Sequence, residues 1–349
     1  MTPPRDARPH TVVADDGVLL RGWVWEPVAP RGVVVIRTPY GAWRHGDTAR
    51  AWVGRGYRCV IHDVRGRHSS DGEWHPYLAE RSDGWAVIEA VRAENPGAPL
   101  VLSGGSYAAH TALEAARAAD VDALVLLVPA LGLAETAWDE NGRPQLLHRI
   151  GWWHQHGRGP RSLPPLTDEG LAARVERATA VGVHRAAEEW GWSHEVLSGW
   201  RRLWSAPAVD LDRAYGTLRA PLLLIRGDHD FFFADAGRLA AAWQGPVHLV
   251  DGPWGHRLAA DIDDEEVRSR LRSAGGIGGV LDAWLAENGL PSGESVTAST
   301  PVSTAASTPA SVTASTPAST PVQADPQPTR RTRSAFEPET GRWRYERTA

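Results

Sequence analysis

The chain has 349 residues, of which 42% are hydrophobic, with a formal net charge of -5 and an isoelectric point near 6.3. This length suits one large α/β domain with an insertion, and the charge excludes a global basic field for nucleic acid or an anionic membrane. Every basic residue is an arginine, which excludes lysine-dependent Schiff-base chemistry, and the single cysteine, Cys59, excludes an internal disulfide.

The first part of the chain, residues 1–130, alternates short apolar runs with helical patterns. A β-hairpin is predicted around the turn signal at 15–17, with strands at 11–14 and 18–25. Further strands are expected at 33–37, 57–63, 100–103 and 123–128, and helices at 47–54, 83–94 and 107–119. Alternation of this kind favours an α/β fold with a mostly parallel, doubly wound sheet covered on both faces.

Residues 131–215 interrupt this alternation and are predicted to form a helical lid insertion. They contain seven tryptophans among helical patterns, namely Trp138, Trp152, Trp153, Trp190, Trp192, Trp200 and Trp204. As a lid over a site they would favour an apolar or aromatic acyl or leaving group, but they can equally form only the core of the insertion. Glu140, Glu188 and Glu189 could bind a substrate amino group, or they could be ordinary exposed charges.

The alternation returns in residues 216–290, the second part of the core. Strands are expected at 221–226 and 247–250, and helices at 235–243 and 280–287. After Pro291 the sequence becomes rich in Ser, Thr, Pro and Ala, which cannot build a core. Residues 291–349 are therefore predicted to be a disordered tether that ends in an arginine- and aromatic-rich tail, either a docking peptide for a partner or a frayed terminus.

Ser106 is the candidate nucleophile. It follows the apolar strand at 100–103 and precedes an alanine-rich helix, with Gly104 two residues before it and Ala108 two residues after it. A serine on a sharp strand-to-helix turn needs small residues at those two positions. The pattern is G-x-S-x-A instead of G-x-S-x-G and also fits an ordinary glycine-rich turn, so its meaning depends on partners elsewhere.

Two later strand ends supply those partners. The strand after the insertion is followed by Asp228 and Asp230, and the next strand is followed by His256. The order serine, acid, histidine is that of α/β-hydrolases, whose acid and histidine lie on loops at the carboxyl ends of strands. We predict that His256 is the general base and Asp230 its orienting acid, with Asp228 as the rival.

No cofactor and no metal are expected. His154 and His156 are two residues apart, which is a poor spacing for two ligands on one helix, and no cysteine or carboxylate stands near them at ligand spacing. The absence of lysine also excludes pyridoxal phosphate attachment and a Walker A phosphate site.

Four sequence blocks occur in the order RTPYG at 37–41, DVRGRHSSDG at 63–72, GGSY at 104–107 and GPWGH at 252–256. Together they resemble the cocaine esterase and Xaa-Pro dipeptidyl-peptidase group of α/β-hydrolases over about residues 10–290. The resemblance implies that Ser106, His256 and Asp230 form a catalytic triad. It also implies that the Tyr40 hydroxyl and the Tyr107 backbone N–H form the oxyanion hole, although Tyr40 could be only a packing residue.

Other parts of the resemblance carry expectations about structure. The block at 63–72 is interpreted as scaffold, with Asp63 paired to Arg65 or Arg67 to hold a loop near the site. Ala108 stands where the family usually has glycine, which adds one methyl group. Family members usually carry a β-jelly-roll domain after the hydrolase domain, and the Ser/Thr/Pro tract leads us to expect that this chain lacks it, so the family's substrates are not carried over.

The sequence thus predicts a serine hydrolase that cleaves an ester or amide bond of a small acyl substrate through an acyl-enzyme. Two alternatives stay open. An acyltransferase or peptide-bond-forming enzyme would discharge the same acyl-enzyme to an amine or alcohol, and a non-catalytic interaction protein would use the fold as a platform. We expect a small-molecule substrate and no nucleic-acid or membrane partner. The richness in Arg, Ala, Gly and Trp suggests a bacterial source, and a cytoplasmic protein is expected because the start has no apolar signal segment.

Overall fold

A ten-stranded sheet forms the centre of the molecule, in a computed structural model that describes residues 6–292 and 330–348. The strands are β1 (Arg8–Val13), β2 (Leu19–Trp25), β3 (Gly32–Thr38), β4 (Tyr57–Asp63), β5 (Leu100–Gly105), β6 (Ala123–Leu127), β7 (Leu222–Gly227), β8 (Val247–Gly252), β9 (Arg331–Glu337) and β10 (Arg342–Thr348). Their order in the sheet is β1-β2-β4-β3-β5-β6-β7-β8-β9-β10. The predicted hairpin β1–β2 is confirmed.

The sheet is parallel from β4 to β9, and its interior strands are buried on both faces. Every residue of β3 and of β4 is buried, as a parallel sheet covered by helices requires. Antiparallel pairing joins β2 to β4 and β9 to β10 at the two sides. The prediction of a mostly parallel sheet is confirmed.

Helices cover both faces of the sheet. Those outside the insertion are α1 (Gly46–Val53), α2 (Glu80–Glu94), α3 (Tyr107–Ala116), α10 (Phe233–Ala242), α11 (Glu265–Ser273) and α12 (Gly276–Glu287). Buried residues of α2, α3 and α10 pack with Val33 and Val35 on one face. Residues of α1, α11 and α12 pack with Val34 and Ile36 on the other face, so alternate residues of β3 serve two cores and the sheet is doubly wound.

Six helices form the predicted insertion between β6 and β7. They are α4 (Leu133–Ala137), α5 (Leu146–His156), α6 (Asp168–Val181), α7 (Val183–Glu189), α8 (His194–Ser205) and α9 (Leu211–Tyr215). Most of the tryptophans of the insertion form a separate apolar core. In this core, the ring centroid of Trp200 lies 5.7 Å from that of Trp153 and 5.2 Å from that of Trp204. Of the seven tryptophans, Trp152 lines a cavity that lies between Ser106 and the insertion.

The sequence-based prediction for residues 331–348 is wrong. Instead of a tail, these residues form β9, which pairs parallel with β8, and β10, which closes a hairpin. Phe336 is buried against Trp343, and Arg333 Nε donates to Asp251 at 2.6 Å, so the hairpin is bound to the core by packing and by an ion pair. The predicted tether falls largely on residues 293–329, which lie outside the described residues.

Candidate active site

Ser106 lies at a sharp turn between β5 and α3. Its backbone has φ 55° and ψ -119°, a region that residues with a side chain rarely adopt. A Cβ on Gly104 would lie 2.3 Å from the backbone carbonyl of Ala108, so only glycine fits there, whereas the Ala108 methyl is accommodated. The turn holds Ser106 at the carboxyl edge of the sheet, with its amide donating to the Leu127 carbonyl at 2.9 Å.

His256 and Asp230 lie beside this serine in one hydrogen-bonded chain. His256 Nε2 is 2.9 Å from Ser106 Oγ, and His256 Nδ1 is 2.8 Å from Asp230 Oδ1. A carboxylate only accepts hydrogen bonds, so Nδ1 carries the proton and Nε2 is left to accept from the serine hydroxyl. Within the described ranges, the carboxylate of the rival Asp228 has no hydrogen bond to His256, and burial raises the pKa of Asp228.

The His256 ring is stacked on an aromatic side chain that the sequence reasoning missed. Phe231 follows Asp230 directly, and its ring centroid lies 4.4 Å from that of His256 with the planes inclined by 26°. Phe231 also stacks on His148 of the insertion at 4.1 Å. Contacts of this kind limit the rotation of the imidazole and so help to keep Nε2 directed at Ser106.

Tyr40 follows β3 and lines the same cavity as Ser106. Its hydroxyl accepts a hydrogen bond from Trp152 Nε1 at 3.0 Å and is close enough to the Ser106 hydroxyl to interact with it. Burial raises the pKa of Tyr40, so the phenol keeps its proton. With one lone pair taken by Trp152, the hydroxyl proton is free to be donated on the Ser106 side.

Tyr107, the first residue of α3, has two separate roles. Its backbone N–H lies in the first turn of the helix, where amides have no intrahelical acceptor. Its side chain is buried, and the hydroxyl donates to Glu80 Oε1 at 2.8 Å while it accepts from the Tyr77 amide at 2.7 Å. The side chain thus anchors the helix, and the amide is left to contact a ligand.

The expected ion pair of Asp63 does not form. Asp63 accepts hydrogen bonds from the Ala42 amide at 2.6 Å and from the Ser69 hydroxyl at 2.6 Å, and in the described part of the chain neither Arg65 nor Arg67 forms an ion pair with it. The carboxylate still holds the loop that carries Tyr40, but it does so through a backbone amide and a hydroxyl. The interpretation of the block as scaffold stands with different partners.

Arg67 links this loop to the insertion. Its Nε donates to the Pro39 carbonyl at 3.0 Å, and its Nη1 donates to the Gly159 carbonyl at 2.6 Å. The side chain is fully buried, and these carbonyls take the place of a carboxylate partner. The position of Tyr40 is therefore set jointly by the core and by the segment after α5.

A cavity of about 730 Å³ lies between Ser106 and the insertion. The residues in its wall include Tyr40, Trp152, Phe231, His256 and the buried Arg149. In the part of the chain that the structure describes, no aspartate or glutamate lines it. Ser106 thus lines an open cavity that is large enough for a small organic molecule.

The glutamates that could bind a substrate amino group lie outside the cavity wall. Glu188 pairs with Arg201 at 3.0 Å and Glu189 with Arg177 at 2.7 Å on the insertion surface. Glu140 is exposed and does not line the cavity. These three side chains therefore do not place a negative charge beside Ser106.

Of the two histidines at 154 and 156, His156 is engaged by a hydroxyl group, whereas His154 Nδ1 is buried without a hydrogen-bond partner among the described residues. His156 Nδ1 lies 2.9 Å from the Ser162 hydroxyl, and burial lowers the pKa of His156 to about 4. A different group, formed by Glu73, His75 and Glu195, has ligand atoms within 4.8 Å of one another at the surface. Exposed acidic groups of this kind are common without an ion.

The chain is similar in sequence to known proteins. Residues 16–257 match the family model of X-Pro dipeptidyl-peptidase (S15 family). The chain is 27% identical over 275 residues to the cocaine esterase of Rhodococcus sp. (strain MB1 Bresler), a match that covers 69% of this chain and 47% of that protein. The chain therefore spans about half the length of this relative.

Solved structures show the same fold. An aminopeptidase from a marine sediment archaeon, Thaumarchaeota archaeon, superposes with a TM-score of 0.59 at 19% identity, covering 77% of this chain and 51% of that one. The alpha/beta hydrolase GrgF from Penicillium sp. sh18 superposes with a TM-score of 0.50 at 20% identity, covering 76% and 96%. The predicted α/β-hydrolase fold is confirmed. None of the helices in the described ranges is long and apolar enough to cross a membrane.

Proposed function

Since the chain belongs to the X-Pro dipeptidyl-peptidase (S15) family, we propose that it is a serine hydrolase that cleaves an ester or amide bond of a small acyl substrate through an acyl-enzyme on Ser106. The observation that carries this proposal is the hydrogen-bonded chain from Ser106 through His256 to Asp230, with distances of 2.9 and 2.8 Å. A nucleophile, a base and an orienting acid within hydrogen-bond reach are what acyl transfer requires.

In the first half of the reaction, His256 Nε2 takes the hydroxyl proton as Ser106 Oγ forms a bond to the substrate carbonyl carbon. The carbonyl oxygen becomes an oxyanion, which accepts hydrogen bonds from the Tyr40 hydroxyl and the Tyr107 amide. The tetrahedral intermediate then loses the alcohol or amine, which receives the proton from His256. Asp230 stays ionised throughout and stabilises the imidazolium.

In the second half, water takes the place of the leaving group. His256 removes a proton from the water as its oxygen attacks the ester carbonyl of the acyl-enzyme, and the same two donors hold the second oxyanion. Collapse of this intermediate breaks the bond to Ser106 Oγ, which recovers its proton from His256. The products are the free acid and the resting enzyme.

Trp152 is a positioning residue in this scheme. Because its indole N–H donates to Tyr40 at 3.0 Å, it determines which side of the phenol oxygen is left for the hydroxyl proton. The proposed oxyanion donor, the hydroxyl of Tyr40, therefore belongs to the core but is oriented by a residue of the insertion. A donor that is fixed before the reaction stabilises the transition state without reorganisation during it.

Covalent labelling with a fluorophosphonate tests the proposal. We expect one added phosphonyl group on the wild-type protein, located on the peptide that contains Ser106, and none on Ser106→Ala. Ser103→Ala is the matched control, since Ser103 is a buried serine of β5, the strand that precedes Ser106, and it should still be labelled. An unlabelled wild-type protein, or equal labelling of Ser106→Ala, would overturn the proposal.

Product analysis separates hydrolysis from acyl transfer. With a chromogenic ester and a competing amine present together, we expect the free acid as the main acyl product. An amide that exceeds the acid at low amine concentration would instead identify an acyltransferase.

A further inference from the structure

The wall of the cavity beside Ser106 includes a buried cation, Arg149, that has no partner among the described residues. Arg149 lies on α5 with an exposed fraction of 5%, and its Nε is buried without a hydrogen-bond partner. Nowhere in residues 6–292 and 330–348 does a carboxylate form an ion pair with its guanidinium. Its close ring neighbours are Phe231 and Phe232, whose centroids lie 6.0 and 5.9 Å from Cζ.

Each of the other buried arginines in the described ranges has at least one hydrogen-bond partner, although Arg58 Nε, like Arg149 Nε, has none. Arg37 donates to Glu80 at 3.0 Å, Arg58 donates to Glu94 and Arg67 donates to backbone carbonyls. An unpaired charge in an apolar environment is strongly unfavourable, so buried charges are normally paired or hydrogen-bonded. Arg149 departs from this rule in the cavity where the reaction is proposed to take place.

No acidic side chain offsets the positive charge of Arg149. Among the residues that the structure describes, no aspartate or glutamate lines the cavity wall, and the nearby phenols of Tyr40 and Tyr77 carry no charge near neutral pH. Burial lowers the pKa of Arg149, but a guanidinium starts from so high a value that it stays ionised near neutrality. A substrate ammonium group would meet repulsion here and would find no acidic partner.

We propose that Arg149 binds a carboxylate of the substrate, so that the bond cleaved at Ser106 belongs to an ester or amide that carries a second, ionised carboxyl group. A guanidinium matches a carboxylate through two parallel hydrogen bonds, and the apolar rings beside it strengthen that pairing. One unpaired cation balances one negative charge, which favours a carboxylate over a phosphate dianion. The cleavage at Ser106 in this inference rests on the proposed function, whereas the binding of a carboxylate by Arg149 does not.

Matched pairs of esters test the inference. The first pair is the para-nitrophenyl half-ester of glutaric acid and its methyl ester, which place or remove a carboxylate on the acyl side. The second pair is meta-carboxyphenyl butyrate and its methyl ester, which do the same on the leaving-group side. The measured quantity is the ratio of kcat/KM for the charged and neutral members of each pair.

In one of the two pairs, we expect Arg149→Met to lower this ratio by about 10-fold to 100-fold, as for the loss of a charge-assisted hydrogen-bonded pair. Arg149→Lys should restore part of the ratio. Arg174→Met is the matched control, because Arg174 is another arginine of the insertion, stacked on Trp190 and outside this cavity, and its ratio should change less than about threefold. Ratios that Arg149→Met leaves unchanged in both pairs would overturn the inference.

Calorimetric binding to Ser106→Ala separates failure of this inference from failure of the proposed function. That variant should bind the charged ester of the preferred pair more tightly than its methyl ester, and Ser106→Ala/Arg149→Met should bind the two alike. Equal affinities in Ser106→Ala for both pairs would overturn the carboxylate site while fluorophosphonate labelling still supported the serine mechanism. Selective binding without labelling of the wild type would overturn the mechanism and support the carboxylate site.

Discussion

Replacing Tyr40 by phenylalanine removes one hydroxyl and keeps the ring, which packs edge-on against His156 at 4.9 Å. The hydroxyl accepts from Trp152 Nε1 at 3.0 Å and has its proton left for the oxyanion. Loss of one oxyanion donor lowers kcat by about 100-fold to 1000-fold where no other group replaces it. Because a water molecule can enter the space that the hydroxyl leaves, we expect a loss of about 10-fold to 1000-fold for Tyr40→Phe.

Trp152→Phe tests whether the indole acts through that hydroxyl. It leaves the Tyr40 donor in place but removes its orientation, so we expect a smaller loss in kcat of about twofold to tenfold, the equivalent of one neutral hydrogen bond. In the double variant, the effect of Trp152 should disappear, because the group through which it acts is gone. The loss in the double variant should therefore equal that of Tyr40→Phe alone.

The assay is steady-state hydrolysis of a para-nitrophenyl ester, with enzyme concentrations fixed by fluorophosphonate titration so that misfolded protein is not counted. Thermal unfolding of each variant provides the control for stability. In Tyr40→Phe, the indole N–H of Trp152 loses its acceptor, which should lower the free energy of unfolding by about 1 kcal/mol. Wild-type kcat in Tyr40→Phe would remove Tyr40 from the mechanism. Additive losses in the double variant would show that Trp152 does not act through the phenol.

Three further predictions follow from particular contacts. Gly104→Ala should destabilise the protein by about 3 kcal/mol or more in chemical denaturation, because its Cβ would lie 2.3 Å from the Ala108 carbonyl, whereas Ala108→Gly should keep fluorophosphonate labelling; a stable, fully labelled Gly104→Ala would contradict this. Phe231→Leu should lower kcat by about twofold to tenfold with little change in the unfolding temperature, since it loses the stacking on His256 at 4.4 Å, and an unchanged kcat would refute that role. Burial lowers the pKa of His248 to about 4. As the pH falls, His248 therefore binds a proton near pH 6.5 in the unfolded chain but only near pH 4 in the folded chain. The free energy of unfolding should therefore fall by up to about 1.4 kcal/mol per pH unit from this residue between about pH 6.5 and pH 4, and urea denaturation of His248→Asn should lack that part of the slope.

Most of the strands of the sheet could be predicted from local patterns in the sequence. Eight strands and the helices α1, α2, α3, α10 and α12 follow from apolar runs that alternate with helical periodicity, and the structure contains them within a few residues. The bounds of the six insertion helices were not predicted, and α11 was missed. The strands β9 and β10 were missed because their alternating pattern includes many arginines and follows a Ser/Thr/Pro tract. The partners of those arginines, such as Asp251 for Arg333, are distant in the chain, and a local pattern contains no information about them.

In the candidate site too, some residues could be predicted from the sequence and others could be found only from the structure. Ser106, Asp230 and His256 could be predicted, and the structure brings them together, because each follows a strand whose end must lie at one edge of the sheet. Trp152 and Arg149 could not be assigned roles, because their contacts depend on how α5 of the insertion crosses the core. A helical pattern identifies which residues share a face of α5, but not which of them faces Ser106.

The most direct test of the central claim is mass spectrometry of the protein, acid-quenched during turnover of a para-nitrophenyl ester. An acyl-enzyme mechanism predicts the substrate's acyl group on the peptide that contains Ser106. The same group should be absent from Ser106→Ala and should form much more slowly in His256→Ala. Turnover of the ester by Ser106→Ala at the wild-type rate, with no acylated peptide in either protein, would contradict it.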